Sequence, residues 1–442
     1  MTRFLPHPQL LDSPRHRDWP RYPAPQLPDR PRLPPSGADI VIVGAGPAGL
    51  AVAAALWHVG VHDVVIIDRD GEPAARFLDR VDRLGQRVLR SPYEHHPGVE
   101  GYRDCELRDF ARMHWSHLTS VERREIRMSQ AGHRSVVPVD VFDAYCRHTS
   151  AIHQVPQRLW RGEVRGIDAG ADHATVRGSC QDNGVERDFA IEAGHVVLCQ
   201  GEERRAAPAT WWRGDRPTGV GYWDEPVPAD AGRVVVVGAG LTAAHLIHNA
   251  LDRGARVAWV VREEAERYQC SDVNASFFRA EGRARFDSLA RPASWDERLA
   301  LMGRERRASV MFEFRPLLAA AEEDGRLTVH RGAGIDAVTD NRVRLDDGRP
   351  VSGDHVVLAL GTLPSIGAGL LPGHVVGARD GWPDLDERTL AYRGAPRVFA
   401  AGAAACMVLG PAARNIDGHR VATARIAGSI AAAVREGVGT RA

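Results

Sequence analysis

Lysine is missing from this sequence of 442 residues, so all 57 of its cationic side chains are arginines. A Schiff-base lysine is therefore excluded, and with it the usual form of pyridoxal-phosphate chemistry. A Walker-type phosphate loop is excluded as well, because that loop needs its lysine. The arginines are balanced by 57 aspartates and glutamates, which leaves a formal net charge of zero. Such a chain has no overall positive field to hold nucleic acid or an anionic membrane surface.

Cysteine is scarce, and its positions are far apart: 105, 146, 180, 199, 270 and 406. No two cysteines stand three apart, which excludes a CxxC redox pair and a zinc knuckle, and we predict no metal site. Wide spacing is typical of reduced, mostly buried thiols in a cytoplasmic protein. No apolar run approaches the ~18 residues of a membrane span, and the first residues lack the apolar core of a secretory signal.

Residues 1–36 form a proline-rich arm that holds ten of the 28 prolines, with arginines interspersed. Prolines at this density exclude helix and central strand. The arm is either disordered or an extended strap over the surface. The strap is favoured because the arm carries apolar side chains that it could bury, among them Leu10, Leu11 and Trp19.

Order is predicted to begin at Ala38 with the apolar strand DIVIV, which runs directly into the glycine motif GAGPAG (44–49) and an apolar helix. The next strand, VVIID, ends in a carboxylate at Asp68. In this context the glycines provide a tight turn, close approach to a pyrophosphate and close helix packing. The helix N-terminus offers unpaired N–H groups to the phosphates, and Asp68 can accept hydrogen bonds from ribose hydroxyls. The unit therefore predicts a dinucleotide site with free ribose hydroxyls, as in FAD.

A second copy of this unit begins at Arg233 with RVVVVGAGLTAAH, and the two copies align without a gap. Gly44, Gly46 and Gly49 match Gly238, Gly240 and Ala243. The position of Asp68 is taken by Arg262, whose guanidinium can pair with a 2′-phosphate that a carboxylate would repel. The second copy therefore favours NADPH.

A third correspondence closes each copy with a nearly identical strand and turn, HVVLCQG (195–201) and HVVLALG (355–361). A strand-rich stretch precedes each of them. The tail consists of the strand PRVFAAGA and a long amphipathic helix. We predict an α/β protein with two Rossmann-like dinucleotide-binding domains, the NADPH domain (202–356) inserted in a discontinuous FAD domain (37–201 and 357–442).

With these features the chain resembles the class B flavin-dependent monooxygenases, which include flavin-containing monooxygenases, Baeyer–Villiger enzymes and amino-acid N-hydroxylases. The resemblance spans roughly residues 38–435. It implies a small-molecule substrate, O₂ and a C4a-(hydro)peroxyflavin that donates one oxygen atom. No nucleic acid, membrane or catalytic side chain is predicted. The cofactor-binding residues that motif and resemblance together predict are Gly44, Gly46, Pro47, Ala48, Gly49, Asp68, Arg69, Leu89, Arg90, Val164, Gly201, Gly238, Gly240, Leu241, Thr242, Ala243, Arg262, Gly361, Gly402, Asn415 and Ile416.

The sequence differs from these relatives at positions that indicate which atom of the substrate is oxidised. The FxGxxxH fingerprint of Baeyer–Villiger and flavin-containing enzymes is missing before the second glycine motif, where the chain reads GVGYWDEPVPADAG. This absence favours nitrogen as the atom oxidised. Residues 268–286 look distantly like the segment where N-hydroxylases contact substrate and nicotinamide. His95 and His96, in a segment that wraps the flavin ring in relatives, either reach the active site or belong to a packed turn.

Three alternatives stay open at this point. The chain could be an NADPH-dependent flavin reductase that passes electrons to a carrier protein. It could be a flavin-binding partner protein without catalytic activity. It could also be a flavin oxidase or dehydrogenase, although such an enzyme would not need a second glycine motif with Arg262.

Overall fold

A computed structural model describes residues 7–22, 33–102, 105–182, 184–269, 295–379 and 381–439. The strands are β1 (Gly37–Val43), β2 (Val64–Asp68), β3 (Val88–Leu89), β4 (Val137–Pro138), β5 (Leu159–Ala169), β6 (Ala174–Asp182), β7 (Val185–Leu198), β8 (Glu202–Arg204), β9 (Val220–Tyr222), β10 (Arg233–Val237), β11 (Arg256–Val260), β12 (Leu327–His330), β13 (Ile335–Thr339), β14 (Arg342–Leu345), β15 (Pro350–Ser352), β16 (His355–Leu358), β17 (Thr362–Pro364), β18 (Ala391–Tyr392) and β19 (Ala395–Ala400).

The helices lie between these strands and, for the last of them, after the final strand. They are α1 (Pro47–His58), α2 (Ala75–Arg83), α3 (Leu107–Met113), α4 (Ser120–Gln130), α5 (Val139–Ile152), α6 (Val155–Arg158), α7 (Leu241–Asp252), α8 (Trp295–Glu305), α9 (Arg315–Glu323), α10 (Gly373–Val376), α11 (Cys406–Leu409) and α12 (Ile416–Gly439). The chain is therefore a mixed α/β protein, as predicted.

The larger sheet has a parallel part built around β1. β2 pairs with one edge of β1 and β7 with the other, and β19 follows beside β7. The four inner residues of β1, Ile40–Val43, are buried, as expected for a parallel strand that is covered on both faces. β5, β6 and β7 form an antiparallel meander that begins beside β2. This part of the fold contains both the first glycine motif and the C-terminal helix α12, which packs against α1.

The second sheet repeats the plan of the first on a smaller scale. Its five strands run parallel in the order β12-β11-β10-β16-β9, with the second glycine motif between β10 and α7. A separate antiparallel meander of β13, β14 and β15 precedes β16. In the sequence these strands lie between β7 and β19 of the larger sheet. The domain division at residues 201/202 and 356/357 remains a prediction.

Two short strands connect the sheets. β8 leaves the larger sheet directly after Gly201, β17 leaves the smaller sheet directly after Gly361, and the two strands pair antiparallel. Both glycines have positive φ angles, +72° and +81°, which glycine adopts at no steric cost. The two turns with near-identical sequences are thus the two ends of one connecting ribbon.

The described part of the proline-rich arm, residues 7–22, is a strap on the surface, which confirms the favoured prediction. Leu10, Leu11 and Trp19 are buried. The indole Nε1 of Trp19 donates to Asp140 over 2.7 Å, and Arg17 pairs with Asp140 and Glu122. No described helix is both long and apolar enough to cross a membrane.

Candidate functional site

Four strands of the larger sheet end at one edge, and the residues that follow them include most of the predicted site. Asp68 ends β2, Gly44 follows β1, Cys199 follows β7, and Gly402 lies two residues beyond β19. The strand registers bring these four ends level with one another. In parallel α/β sheets this carboxyl edge is where ligands bind. The first glycine motif thus lies where a dinucleotide would be expected.

The three glycines of the first motif are needed for two different reasons. A Cβ on Gly44, whose φ is +104°, would lie 2.5 Å from the Cys199 carbonyl oxygen. A Cβ on Gly49 would lie 2.0 Å from the Gly44 carbonyl oxygen. These two glycines are required by close backbone packing within the protein. A Cβ on Gly46 would meet no atom within 4 Å. Gly46 therefore leaves open space at the N-terminus of α1, as a phosphate would require.

Asp68 is tied to the glycine loop. Its carboxylate accepts a hydrogen bond from the Ala45 amide over 2.8 Å and another from the Asp70 amide over 2.9 Å. A ribose-binding carboxylate at this position would therefore also hold the loop in shape. Pro47 occupies the first position of α1, and Ala48 next to it is buried. The start of α1, the glycine loop and the Asp68 carboxylate are thus joined by hydrogen bonds.

The second motif repeats the distinction between packed and open glycines. A Cβ on Gly238, whose φ is +135°, would lie 2.3 Å from the Ala359 carbonyl oxygen, whereas a Cβ on Gly240 would meet nothing within 4 Å. Gly240 is the N-cap of α7, which begins at Leu241 and Thr242. Ala243 replaces the third glycine and is fully buried. The loop is open at the same relative position as in the first copy.

Arg262 lies two residues after the end of β11 and is exposed. Its side chain is 85% exposed, and its ion pair with Glu263 is long, at 3.8 Å. A guanidinium held so loosely can turn toward a 2′-phosphate at little cost. At the equivalent place in the first copy, Asp68 is engaged by backbone amides. The two loops therefore present opposite charges to whatever binds them.

Three buried polar atoms near the edge of the larger sheet have no hydrogen-bond partner among the described residues: Gln200 Oε1, Ser365 Oγ and His419 Nδ1. Gln200 precedes the Gly201 turn, and the Ser365 amide donates to the Gly201 carbonyl over 3.0 Å. A buried polar atom without a partner is costly, so such groups usually face a ligand or ordered water. The residues around Gly201 thus fit a polar cofactor.

Gly402 lies between α1 and α12. A Cβ added to it would lie 3.4 Å from His419 Nε2 and 3.6 Å from the Ala48 Cβ. His419 is in the first turns of α12, and burial lowers its pKa to about 4, so its ring is neutral at pH 7. His419 was not among the predicted residues, because one histidine in an amphipathic helix carries no sequence signal. His419 therefore lies beside Gly402, one of the predicted site residues.

Leu89 and Arg90 are both buried, and Leu89 belongs to the core of the larger sheet. Leu89 is in β3, which pairs with β4. Arg90 donates to the Ser309 hydroxyl over 2.9 Å and to the Ser309 carbonyl over 2.5 Å. Arg90 therefore links the segment after β3 to the segment after α8. This role is in addition to any contact with a flavin.

His95 and His96 are both buried, and each contacts a different neighbour. His95 Nε2 lies 3.8 Å from the Asp417 carboxylate, and His96 Nδ1 lies 3.3 Å from the Tyr145 hydroxyl. Burial is the main reason why the pKa of each ring is lowered. Of the two interpretations left open by the sequence, the contacts favour the packed turn for His96, while His95 contacts the first turn of α12.

Arg69 and Val164 lie beyond Asp68, on the side of the meander. Arg69 is 64% exposed and lies 3.4 Å from the Glu163 carboxylate. Asp68 is level with Arg161 in β5, so Val164 stands three residues past the end of β2. Val164 is buried in the core there. Arg69 directly follows Asp68 and is directed to Glu163, the residue before Val164.

Asn415 directly precedes α12, which begins at Ile416. The Asn415 side-chain oxygen accepts from Arg306 Nη1 over 3.1 Å, and Arg306 also donates to the Pro411 carbonyl over 3.2 Å. Arg306 was not among the predicted residues, because it belongs to the region after residue 294, far from either glycine motif. Residues 270–286 of the distant N-hydroxylase-like segment lie outside the described residues.

Comparison of the sequence with known protein families supports the predicted cofactors. The model of the pyridine nucleotide-disulphide oxidoreductases matches residues 38–281, which is more than half of the chain. The chain belongs to this family. Its members bind FAD and NAD(P), which confirms the expectation of a flavin and a nicotinamide dinucleotide in an oxidoreductase. No curated protein matches the sequence.

Solved structures of similar fold confirm the resemblance to class B flavin monooxygenases at the level of the fold. The ornithine hydroxylase of Pseudomonas aeruginosa superimposes with a TM-score of 0.69 at 16% identity, covering 89% of this chain and 98% of that one. The ornithine N-hydroxylase of Kutzneria sp. 744, with reduced FAD, NADP⁺ and L-ornithine, gives 0.66 at 16% identity, with coverage of 89% and 99%. The bacillithiol disulfide reductase of Bacillus cereus gives 0.59 at 16% identity, with coverage of 90% and 99%.

Proposed function

We propose that this protein is an FAD-dependent, NADPH-consuming monooxygenase that transfers one oxygen atom from O₂ to a small molecule, at nitrogen. The observation that carries the proposal is the pair of glycine loops with opposite charges. Gly46 and Gly240 each leave open space at a helix N-terminus, with Asp68 beside the first loop and the exposed Arg262 beside the second.

FAD would be held at the larger sheet. Gly46 and the N-terminus of α1 would accept its pyrophosphate, and Asp68 would accept hydrogen bonds from its adenosine ribose. Gln200, Ser365 and His419 have buried polar atoms that need partners, and they would meet polar groups of the cofactor. When bound, FAD supplies the hydride acceptor and the centre at which O₂ is activated.

NADPH would be held at the smaller sheet. Gly240 and the N-terminus of α7 would accept its pyrophosphate, and Arg262 would pair with its 2′-phosphate through two parallel hydrogen bonds. The neutral ring of His419 adds no charge beside the flavin site at pH 7. The chain would therefore position both dinucleotides through its two glycine loops.

Nitrogen is proposed as the atom oxidised for two reasons. The fingerprint of the Baeyer–Villiger and flavin-containing enzymes is absent from residues 219–232. Two of the three structural relatives described above are named as ornithine hydroxylases. The proposed substrates are therefore amines and amino acids with a side-chain amine.

The experiment is to measure NADPH oxidation, O₂ uptake and product mass together, with matched panels of amines, ketones and sulfides. We expect an amine to accelerate both rates and to yield a product one oxygen atom heavier, with no such product from ketones. Two results together would contradict the proposal. No substrate in the panel would yield an oxygenated product, and an electron-carrier protein would accelerate the oxidation of NADPH.

A reductase is the second candidate, favoured by the similarity to bacillithiol disulfide reductase. The described cysteines Cys105, Cys146, Cys180, Cys199 and Cys406 are buried and form no disulfide with one another. With no CxxC in the sequence, a thiol relay on the chain is not available, and electrons would have to leave the flavin directly. The same assay distinguishes the two functions, because a reductase consumes NADPH without oxygenated product.

A further inference from the structure

Two histidines and a cysteine meet at the end of the larger sheet's first helix. His58 Nε2 lies 3.1 Å from His153 Nε2 and 3.4 Å from Cys105 Sγ. The Cys105 sulfur lies 3.7 Å from His153 Nε2. These residues are 47 and 48 positions apart, so no spacing rule could indicate them. Three donor atoms of the types that bind soft and borderline metals thus converge on one point.

The separations match those of a tetrahedral zinc centre. Zn–N bonds of ~2.0–2.1 Å place two nitrogens about 3.3 Å apart, and a Zn–S bond of ~2.3 Å places nitrogen and sulfur about 3.6 Å apart. The observed distances of 3.1, 3.4 and 3.7 Å deviate from these values by about 0.2 Å or less. The three atoms are therefore already arranged as three corners of a coordination tetrahedron.

The orientation of His153 also suits a metal ligand. Its Nδ1 faces the Thr149 carbonyl oxygen at 2.7 Å, and because a carbonyl only accepts, Nδ1 must carry the proton. A neutral ring then presents the lone pair of Nε2 to the cluster. A backbone carbonyl that fixes the tautomer of a histidine in this way is the usual outer-shell partner of metal-binding imidazoles.

The other two ligands are held by their surroundings. Cys105 is buried, and its carbonyl accepts a hydrogen bond from the Tyr145 hydroxyl, which also accepts from the Gly98 amide over 2.9 Å. The ring of Tyr102 covers His58, with ring centroids 3.9 Å apart. His58 is half-buried, whereas Cys105 and His153 are buried.

We propose that His58, Cys105 and His153 bind one zinc ion, with water as the fourth ligand. Binding displaces the thiol proton of Cys105 to solvent, so that the thiolate and two neutral imidazoles coordinate the ion. The site joins the last residue of α1, the residue after α5 and the loop before α3. It lies at the opposite end of α1 from Gly46, so its role is to hold this helix in place and not to contact cofactors.

The first test is the metal content of the purified full-length protein, measured by mass spectrometry of the metals after expression with added zinc and dialysis. We expect about one zinc per chain, and X-ray absorption at the zinc edge should show one sulfur at about 2.3 Å with nitrogen or oxygen at about 2.0–2.1 Å. Protein that neither contains zinc nor takes up ZnCl₂ in a titration would overturn the proposal, as would a zinc spectrum without sulfur.

Variants locate the ion. Cys105→Ser and His153→Gln should lose at least ten-fold in zinc affinity while retaining one FAD per chain, which shows that they are folded. Cys180→Ser and His173→Gln, which change a buried cysteine in β6 and an exposed histidine, should keep the wild-type zinc content. Equal zinc content in all four variants would place the ion elsewhere and contradict the proposal. The proposal is independent of the reaction catalysed.

Discussion

The guanidinium of Arg414 forms a two-pronged ion pair with the carboxylate of Glu202. Nη2 donates to Oε2 over 2.7 Å, Nε donates to Oε1 over 2.5 Å, and Nη2 also donates to the Thr362 carbonyl over 3.1 Å. Glu202 begins β8 and Thr362 begins β17, so one arginine from the segment before α12 fixes both strands of the connecting ribbon. The two sheets are thereby held in one arrangement.

This ion pair predicts a stability that depends on pH. Burial alone would raise the pKa of Glu202, but the hydrogen bonds and charge of Arg414 keep that pKa below its usual value. A lowered pKa contributes stability above pH 4.5, and this contribution is lost as the pH falls through the folded-state value. Arg414→Ala should cost about 2–3 kcal/mol at pH 7, since it leaves a largely buried carboxylate unpaired.

Urea unfolding of the wild type, Arg414→Ala and Glu202→Gln between pH 3.5 and 8 checks this prediction. The difference between wild type and Arg414→Ala should shrink below about pH 4.5. Arg435, on the last turns of α12, offers a control in Arg435→Ala. A wild-type advantage that stays constant down to pH 3.5 would contradict the role assigned to Glu202.

Asp68→Ala should weaken FAD binding by about 1.5–3 kcal/mol, because a charge-assisted hydrogen bond to the ribose is lost. Since Asp68 also accepts from the Ala45 amide, Asp68→Asn should cost less, because its oxygen can still accept that bond. Flavin fluorescence titration of the apoprotein gives the dissociation constants. Asp70→Ala is the matched control, and equal losses in Asp70→Ala and Asp68→Ala would contradict a ribose contact.

Arg262→Ala should lower kcat/KM for NADPH about 10- to 100-fold and leave kcat/KM for NADH nearly unchanged, since only NADPH has the 2′-phosphate. Steady-state oxidation of both cofactors measures this. Arg253→Ala removes an exposed arginine just before β11, at the opposite end of that strand, and should change neither value. Wild-type protein that uses NADH and NADPH equally well would show that Arg262 makes no phosphate contact.

Gly46→Ala and Gly49→Ala should behave differently, although both alter the same motif. The added methyl group at Gly49 would overlap the Gly44 carbonyl oxygen. We therefore expect the free energy of unfolding of Gly49→Ala, measured with urea, to be about 1–3 kcal/mol lower than that of the wild type. The methyl group at Gly46 enters open space and should change stability of the apoprotein by less than about 0.5 kcal/mol, yet obstruct FAD binding. Unimpaired FAD binding by Gly46→Ala would place the pyrophosphate elsewhere.

Arg17→Ala should destabilise the protein by about 3 kcal/mol, because it leaves Glu122 and Asp140, which are fully buried, without this cation. Arg21→Ala changes an exposed arginine of the same strap and is the control. Thermal unfolding measures both. A loss of equal size in the two variants would show that the strap acts through its packing and not through the buried ion pairs.

The sequence alone determined the α/β class, the two glycine motifs and the pair of dinucleotide cofactors. These follow from local patterns: an apolar strand, glycines at fixed spacing, a helix and a final charged residue. The strap could also be predicted, because the proline-rich segment contains the apolar residues Leu10, Leu11 and Trp19, which are stabilised by burial against the protein. Asp68 and Arg262 were found because each stands 24 residues after its first glycine.

Only the tertiary structure decided which distant residues meet. His419 lies beside Gly402, Arg414 pairs with Glu202, and Arg306 contacts Asn415. His419, Arg414 and Arg306 have no sequence signal of their own. The cluster of His58, Cys105 and His153 depends in the same way on the ends of two helices and a loop coming together. Local propensity and spacing act over a few residues. Contacts between residues that are distant in the sequence depend on how strands pair and helices pack, and so on the whole fold.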